Sequence, residues 1–161
     1  MQIKLLGLGV PMQGDDQIGL ELVKRWMEKH SGEYPEDLIE AEILENPGIN
    51  LLSAIAGLDA AILVDALQSG APVGTVIQLK EDDLGALSDG VGPGHGWGAA
   101  ETLSLGRQLE GEDLPETIII IGIEGAVFTL GEGLSPAVRA AIPAAMELVS
   151  EVLQSLLEDS K

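Results

Sequence analysis

Hydrophobic and polar positions along this chain follow two periods, one typical of strands and one typical of helices. Apolar runs at residues 3–8, 60–64 and 117–123 predict strands, and the last two are typical of strands buried on both faces. Residues 38–44 alternate between apolar and polar side chains, which predicts a strand with one polar face. Residues 74–79 predict a fifth strand, close enough along the chain to the strand at 60–64 to be its antiparallel neighbour.

Apolar residues at helical spacing fill the intervals between these strands. They predict helices over residues 16–30, 50–56 and 99–109, and a last helix from Pro136 to the C-terminus. The element order β-α-β-α-β-β-α-β-α is typical of an α/β fold. We therefore expect a single domain over residues 1–161, a three-layer sandwich in which helices flank a mostly parallel sheet.

Charge and composition narrow the possible classes of function. Eight Lys and Arg residues against 27 Asp and Glu residues give a net charge of −19, which opposes binding to nucleic acid or to an anionic membrane surface. The chain has no cysteine, so disulfides, thiolate nucleophiles and thiolate metal ligands are excluded. No leader and no apolar run approaching a membrane span is expected from the pattern. We therefore expect a cytoplasmic protein without nucleic-acid or membrane partners.

Three side chains are candidates for chemistry because the predicted topology places them at one edge of the sheet. Asp16 follows the first strand, Asp65 ends the strand at 60–64, and His95 lies in a glycine-rich loop over residues 90–98. Ligands and catalytic groups of parallel sheets collect at the carboxyl ends of the strands. Two carboxylates and one imidazole suit a divalent transition metal with open coordination positions, and they equally suit acid–base hydrolysis.

Each of these residues also has a structural interpretation. Asp15 or Asp16 is suited to cap the helix that follows, and Asp65 is suited to hold a neighbouring loop by accepting backbone N–H bonds. The glycines around His95 indicate an exposed side chain that another group approaches closely. Asp15 is expected to support the loop or to share a proton with Asp16, and we assign it no catalytic role.

A nucleotide-binding loop is a competing interpretation of the first turn, where Gly7 and Gly9 begin a GxG pattern. The dinucleotide fingerprint requires a third glycine at the position of Met12, and Pro11 disrupts the turn. The acidic pair at the helix start would also repel a pyrophosphate. These departures disfavour nucleotide binding.

Four segments together resemble the hydrogenase maturation proteases, the endopeptidases that trim the C-terminal tail of the [NiFe]-hydrogenase large subunit. The segments are LGLGVPMQGDDQIG at residues 6–19, ILVDAL at 62–67, His95 ahead of a helix, and IGIEGAVFTLGEGLSPAV at 121–138. Their order and spacing extend the resemblance over nearly the whole chain. The resemblance implies a twisted five-stranded sheet between helices.

The same resemblance implies a chemistry for the three candidates. It implies an aspartyl endopeptidase in which Asp16, Asp65 and His95 contact nickel already inserted into the hydrogenase precursor, with Asp16 and Asp65 as catalytic residues. The nickel is then supplied by the substrate protein, and cleavage follows metal loading. Nickel would either polarise the scissile carbonyl or activate water, or it would serve as a recognition element while a carboxylate acts as base.

Three features depart from the family pattern. Val10 replaces the usual asparagine, the turn at residues 45–48 is Glu-Asn-Pro-Gly, and the surroundings of His95 are unusually rich in glycine. The first two features motivate a second hypothesis, a non-catalytic chaperone or checkpoint protein that binds the nickel-loaded precursor without cutting it. A third hypothesis, a nucleotide-dependent enzyme, would require a nucleotide to raise the melting temperature.

Overall fold

Five strands form the central sheet of the protein. The computed structural model describes residues 1–85 and 98–160. The strands are Ile3–Gly9 (β1), Ile39–Glu45 (β2), Ala60–Leu67 (β3), Val76–Lys80 (β4) and Thr117–Glu124 (β5). Their spatial order is β2-β1-β3-β5-β4, in which β4 alone runs antiparallel to its neighbour. The predicted mostly parallel, five-stranded sheet is confirmed.

Helices cover both faces of this sheet. Within the described ranges they are Ile18–Lys29 (α1), Asn50–Ile55 (α2), Gly98–Glu110 (α3) and Pro136–Asp159 (α4), and two 3-10 turns span Gly14–Gln17 and Glu81–Asp83. The apolar faces of α1 and α4 pack on one side of the sheet, and those of α2 and α3 pack on the other. The predicted three-layer sandwich is therefore confirmed.

The three interior strands are β1, β3 and β5, which carry the most apolar sequences in the chain. Every residue of β1 is buried, because a parallel strand in this position has helices on both faces. Successive side chains of β3 point to opposite faces of the sheet. Ile62 packs in the core beneath α1 and α4, and Leu63 packs in the core beneath α2 and α3.

The predicted antiparallel pairing of the strand at residues 74–79 with the strand at residues 60–64 is wrong. β4 is the antiparallel neighbour of β5 and lies at the edge of the sheet, whereas β3 is flanked by β1 and β5. Burial explains the difference, because β3 is apolar on both faces and gains most from two buried neighbours, whereas β4 keeps its side chains half-buried or exposed. The connection from β3 therefore crosses the end of β5.

Two predicted boundaries shift in ways that matter for the candidate site. The acidic pair lies in the 3-10 turn, and α1 begins two residues later at Ile18. Strand β3 continues past Asp65 to Leu67, because Ala66 and Leu67 still pair with β5. Asp65 is therefore a residue inside a strand rather than its last residue.

The last helix corrects one expectation about hydropathy. By length and composition α4 could cross a membrane, since it has 24 residues and contains an 18-residue window with a mean hydropathy of 1.3. In the fold its apolar stripe, which includes Val138, Ile142, Val149 and Leu153, packs into the core on the same side as α1. The stripe identifies α4 as a core helix of the sandwich.

Candidate functional site at the carboxyl edge of the sheet

The chain reverses direction across the sheet between β1 and β3. Helix α1 leads from β1 to β2 on one side, and β3 leads to strands on the other side. In an open α/β sheet such a switch point leaves a crevice outside the carboxyl ends of the two strands. The crevice between β1 and β3 is therefore where this fold would place a ligand.

Glycines bring the first turn of α1 onto the ends of these strands. A Cβ atom on Gly19 would overlap the carbonyl oxygens of Leu8 and Val64, and one on Gly7 would overlap the carbonyl of Gly19. Only the absence of side chains allows this approach. The start of α1 and the turn before it are thereby fixed against both strands that border the crevice.

Asp65 lies at the level where the two strands part. Pairing of β1 with β3 ends at Gly7 and Val64, whereas pairing of β3 with β5 continues to Leu67. The Asp65 side chain is half-buried, and its Oδ1 accepts the N–H of Ala66 at 2.8 Å. By strand alternation it lies on the same face as Leu63, the face covered by α2 and α3.

Asp16 lies in the 3-10 turn that follows β1. Its backbone oxygen accepts the N–H of Val10 at 3.3 Å, which holds the residue over the end of the strand. The side chain is half-buried, and burial raises the pKa of its carboxyl above the ordinary value. In residues 1–85 and 98–160 no hydrogen bond stabilises this carboxylate. A carboxyl group with a raised pKa and no hydrogen-bond partner among the described residues is suited to accept a proton or bind a cation.

Asp15 has the opposite environment although it is the adjacent residue. It is fully buried, and its carboxylate accepts hydrogen bonds from the backbone N–H groups of Ala126, Val127 and Ser135 and from the Ser135 hydroxyl, at 2.7–3.0 Å. Burial alone would raise its pKa, but these bonds outweigh burial and hold the pKa of Asp15 below its usual value. Asp15 therefore remains ionised and supports the loop. Of the two roles predicted for it, support of the loop is the one that the structure shows.

The predicted capping role of the acidic pair is wrong. Gln17 is the N-cap of α1, and neither the 3-10 turn nor α1 has a side-chain cap hydrogen bond. The carboxylate of Asp15 instead lies at the N-terminus of α4, where Ser135 is the N-cap and Pro136 the first residue. A negative charge in this position complements the helix dipole.

The structure places Asp16 and Asp65 at the same edge of the sheet, where the pairing of β1 with β3 ends. The 3-10 turn with Asp16 contacts both β1 and β3, and Asp65 is the first residue of β3 beyond their pairing. His95 and the neighbouring Trp97 lie outside the described residues, so the convergence of all three side chains stays a prediction. Among the described residues no group of three His, Cys, Asp or Glu side chains has the geometry of a metal site.

Two features that depart from the family pattern border the same crevice. The backbone N–H of Asn46 donates to the carbonyl of Gly9 at 2.8 Å, which fixes the turn at residues 45–48 beside the end of β1. Val10 follows directly and contributes an apolar, half-buried side chain. Both features therefore lie where a substrate approaching Asp16 would meet them.

Glu124 is an anchor that the sequence analysis missed. The side chain is buried at the end of β5, where its carboxylate accepts the N–H and hydroxyl of Ser69 and the N–H of Gly70 at 2.7–3.1 Å. These bonds hold the connection between β3 and β4 as it crosses the sheet. The sequence does carry a signal for it, because Glu124 ends an apolar run in the same way as Asp65 does.

Comparison with known proteins assigns the chain to a family. A profile described as hydrogenase maturation protease matches residues 44–152. The hydrogenase 2 maturation protease of Escherichia coli (strain K12) is 30% identical over 156 residues, which cover 96% of this chain and 92% of that protein. The chain belongs to the hydrogenase maturation protease family, and it is accordingly a peptidase.

Solved structures support the same assignment. A solution structure of an endopeptidase from Escherichia coli superposes with a TM-score of 0.82 at 28% identity, covering 96% of this chain and 93% of that one. The hydrogenase maturating endopeptidase HYBD from Escherichia coli gives a TM-score of 0.77 at 28% identity with the same coverage. A [NiFe] hydrogenase maturation protease from Thermococcus kodakarensis, 24% identical, has the same fold with a TM-score of 0.72, covering 95% of this chain and 99% of that one.

Proposed function

We propose that this protein is an endopeptidase that removes the C-terminal tail of a nickel-loaded [NiFe]-hydrogenase large-subunit precursor in the cytoplasm. The observation that carries the proposal is the placement of two carboxylates, Asp16 and Asp65, near the switch point of the sheet. The chain that carries them belongs to the hydrogenase maturation protease family. His95, in the glycine-rich loop ahead of α3, is proposed to complete the set of side chains that contact the nickel.

The nickel in this proposal arrives with the substrate. Carboxylate oxygens and an imidazole nitrogen are suitable ligands for a divalent transition metal. Three such ligands leave further coordination positions on the metal, which the precursor would occupy. The protease thereby recognises the metal-loaded state, because a precursor without nickel lacks the group that these side chains bind. Free Ni²⁺ is expected to bind weakly, because three side chains alone make only a moderate metal site.

Hydrolysis of the peptide bond requires activation of one water molecule. The water oxygen adds to the scissile carbonyl carbon, the C–N bond breaks, and the departing amine takes up a proton. One of the two carboxylates, Asp16 or Asp65, would accept the proton from water and return it to the amine. The nickel would either polarise the scissile carbonyl or activate the water, or it would serve only as the recognition element.

Mass spectrometry of the precursor after incubation with the protein tests this function. Nickel-loaded precursor is expected to lose its C-terminal tail, and precursor without nickel is expected to stay intact. Variants Asp16→Ala, Asp65→Ala and His95→Ala should each abolish the cleavage. Asp113→Asn, on an exposed carboxylate, is the matched control that should leave it unchanged.

Two other outcomes would each contradict part of the proposal. Stable binding of the nickel-loaded precursor without loss of the tail would support the chaperone or checkpoint hypothesis that Val10 and the turn at residues 45–48 motivated. Equal cleavage of precursor with and without nickel would show that the protein is a protease that does not recognise the metal.

A further inference from the structure

Two loops at the carboxyl edge are joined into one unit, here called the double loop, which consists of residues 10–17 and 125–135. Three backbone hydrogen bonds cross between them: Gly131 N–H to Met12 oxygen at 2.6 Å, Gly14 N–H to Glu132 oxygen at 3.0 Å, and Asp15 N–H to Val127 oxygen at 2.6 Å. The Gln17 side chain adds a bond to the oxygen of Glu132 at 3.1 Å. The two loops are therefore fixed together along their lengths.

Gly14 permits this close contact. Its φ of +57° lies in the left-handed region, and a Cβ atom there would overlap the carbonyl oxygen of Val127. A Cβ on Gly125 would lie 2.8 Å from the Cβ of Asp15. Glycine on both sides thus makes room for the one charged side chain between the loops.

Asp15 is that charged side chain, and it is the centre of the double loop. Its carboxylate accepts four hydrogen bonds from three residues of the second loop, Ala126, Val127 and Ser135. Among the described residues it is one of only three buried polar or charged side chains, together with Lys4 and Glu124. An ionised group buried with full hydrogen bonding fixes the geometry of its surroundings.

Asp16 is the next residue, in the same 3-10 turn. Its backbone is confined on the other side by β1, because its oxygen accepts the N–H of Val10 and would overlap a Cβ on Gly9. No hydrogen bond within the described ranges orients the Asp16 side chain itself. Its direction is therefore set by the backbone, which Asp15 holds from one side and β1 from the other.

We propose that Asp15 is a positioning residue that locks the double loop and thereby aims the Asp16 carboxylate into the crevice beside Asp65. The inference rests on the proposed function in taking Asp16 as a group that acts on the substrate. A positioning role predicts loss of turnover rather than loss of substrate binding, because a small misplacement of a reacting group is costly.

Asp15→Asn tests the proposal with little change of side-chain volume. The amide would present an NH₂ group to N–H donors, so the bonds to the second loop are lost in part. We expect amides of residues 14–17 to exchange hydrogen faster, and kcat to fall roughly 10- to 100-fold with KM changed by no more than about threefold. Ser135→Ala removes one donor to Asp15 and no cap bond, and it should change both quantities in the same direction by less.

Glu124→Gln is the matched control, because Glu124 is an equally buried carboxylate that anchors a different connection. It should speed exchange at residues 69–70 and leave kcat within about threefold. A folded Asp15→Asn protein with unchanged exchange at residues 14–17, or with unchanged kcat, would overturn the proposal. Equal losses of kcat in Asp15→Asn and Glu124→Gln would also overturn it, by showing general destabilisation.

The exchange measurement needs no substrate, which separates this inference from the proposed function. If the wild-type protein does not cut the precursor, the proposed function fails. Exchange at residues 14–17 then still decides whether Asp15 fixes the turn that carries Asp16.

Discussion

The two edges of the sheet both carry carboxylates, but in opposite environments. At the carboxyl edge Asp15 is fully buried and Asp16 is half-buried. At the amino edge an open cavity of about 620 Å³ is lined by the exposed residues Asp59, Glu112, Asp113 and Glu116. At the carboxyl edge, burial raises the pKa of Asp16, whereas backbone and side-chain hydrogen bonds outweigh burial and lower the pKa of Asp15.

The difference shows that burial and hydrogen bonding, and not the mere presence of acidic residues, distinguish the carboxyl edge as the candidate site. Exposed carboxylates are solvated, and they cost little to keep or to remove. Partial burial of Asp16 disfavours its charge and leaves it ready to bind a proton or a cation, because no hydrogen bond from the described residues compensates. Asp15 is deeper but fully bonded, and it therefore serves as support.

The largest predicted difference between the edges is in cleavage. Asp16→Ala should lower the rate of precursor cleavage by about 10²- to 10⁴-fold, because it removes a side chain that we propose as a proton acceptor and a nickel contact. Its melting temperature should not fall, since the variant also removes a half-buried charge without a hydrogen-bond partner among the described residues. Rates from mass spectrometry and melting curves check both statements.

The control for this comparison is Asp113→Ala at the amino edge. Its cleavage rate should stay within about threefold of wild type, as expected for an exposed residue away from the site. If both variants lost activity equally, the distinction between the edges would be wrong.

A second prediction concerns the close contact that forms the crevice. Gly19→Ala places a methyl group against the carbonyl oxygens of Leu8 and Val64, so the free energy of unfolding should fall by about 1–3 kcal/mol. Gly133→Ala is the matched control, because no atom lies within 4 Å of its added Cβ. Urea denaturation measures both variants, and equal stabilities would show that α1 does not press on the strand ends.

A third prediction follows from the lowered pKa of Asp15. Because the folded state binds this proton less readily than the unfolded state, the stabilisation is present above the ordinary pKa of 3.8 and is lost as pH falls through the lower, folded value. Urea denaturation between pH 6 and pH 3 should therefore show a smaller loss of stability in Asp15→Asn than in wild type. Parallel pH profiles would contradict the assignment.

The smallest predicted effect is at the amino edge. The double variant Glu112→Gln and Glu116→Gln removes two exposed charges that line the cavity. The free energy of unfolding should change by less than about 0.5 kcal/mol, with cleavage unchanged. A marked loss of cleavage in this variant would contradict the account, because it would place part of the substrate-binding surface at the amino edge.

Most of the fold was predictable because its elements have strong local patterns. The apolar runs of β1, β3 and β5 identified the interior strands, and the helical spacing after Pro136 identified α4. The antiparallel partner of β4 was not predictable in the same way, because it depends on which strand gains most from a buried position. That choice compares the whole sheet and leaves no local signal.

The positions of Asp16 and Asp65 near the ends of β1 and β3 were predictable from the sequence, whereas the structural role of Asp15 was not. Asp16 lies in the loop after the first apolar run and Asp65 comes directly after the run at residues 60–64, and the structure places them where the pairing of β1 with β3 ends. The role of Asp15 depends on Ala126, Val127 and Ser135, which lie more than 100 residues away along the chain. A helix cap was the local interpretation of an aspartate in that position, and a distant contact replaced it.

Nuclear magnetic resonance with paramagnetic Ni²⁺ tests the central claim most directly, because it maps even a weakly bound ion onto the chain. The account predicts selective broadening of amide signals around Asp16 and Asp65, and its loss in Asp16→Ala and in His95→Ala. Broadening centred instead on Asp59 and residues 112–116, and unchanged in those variants, would contradict it.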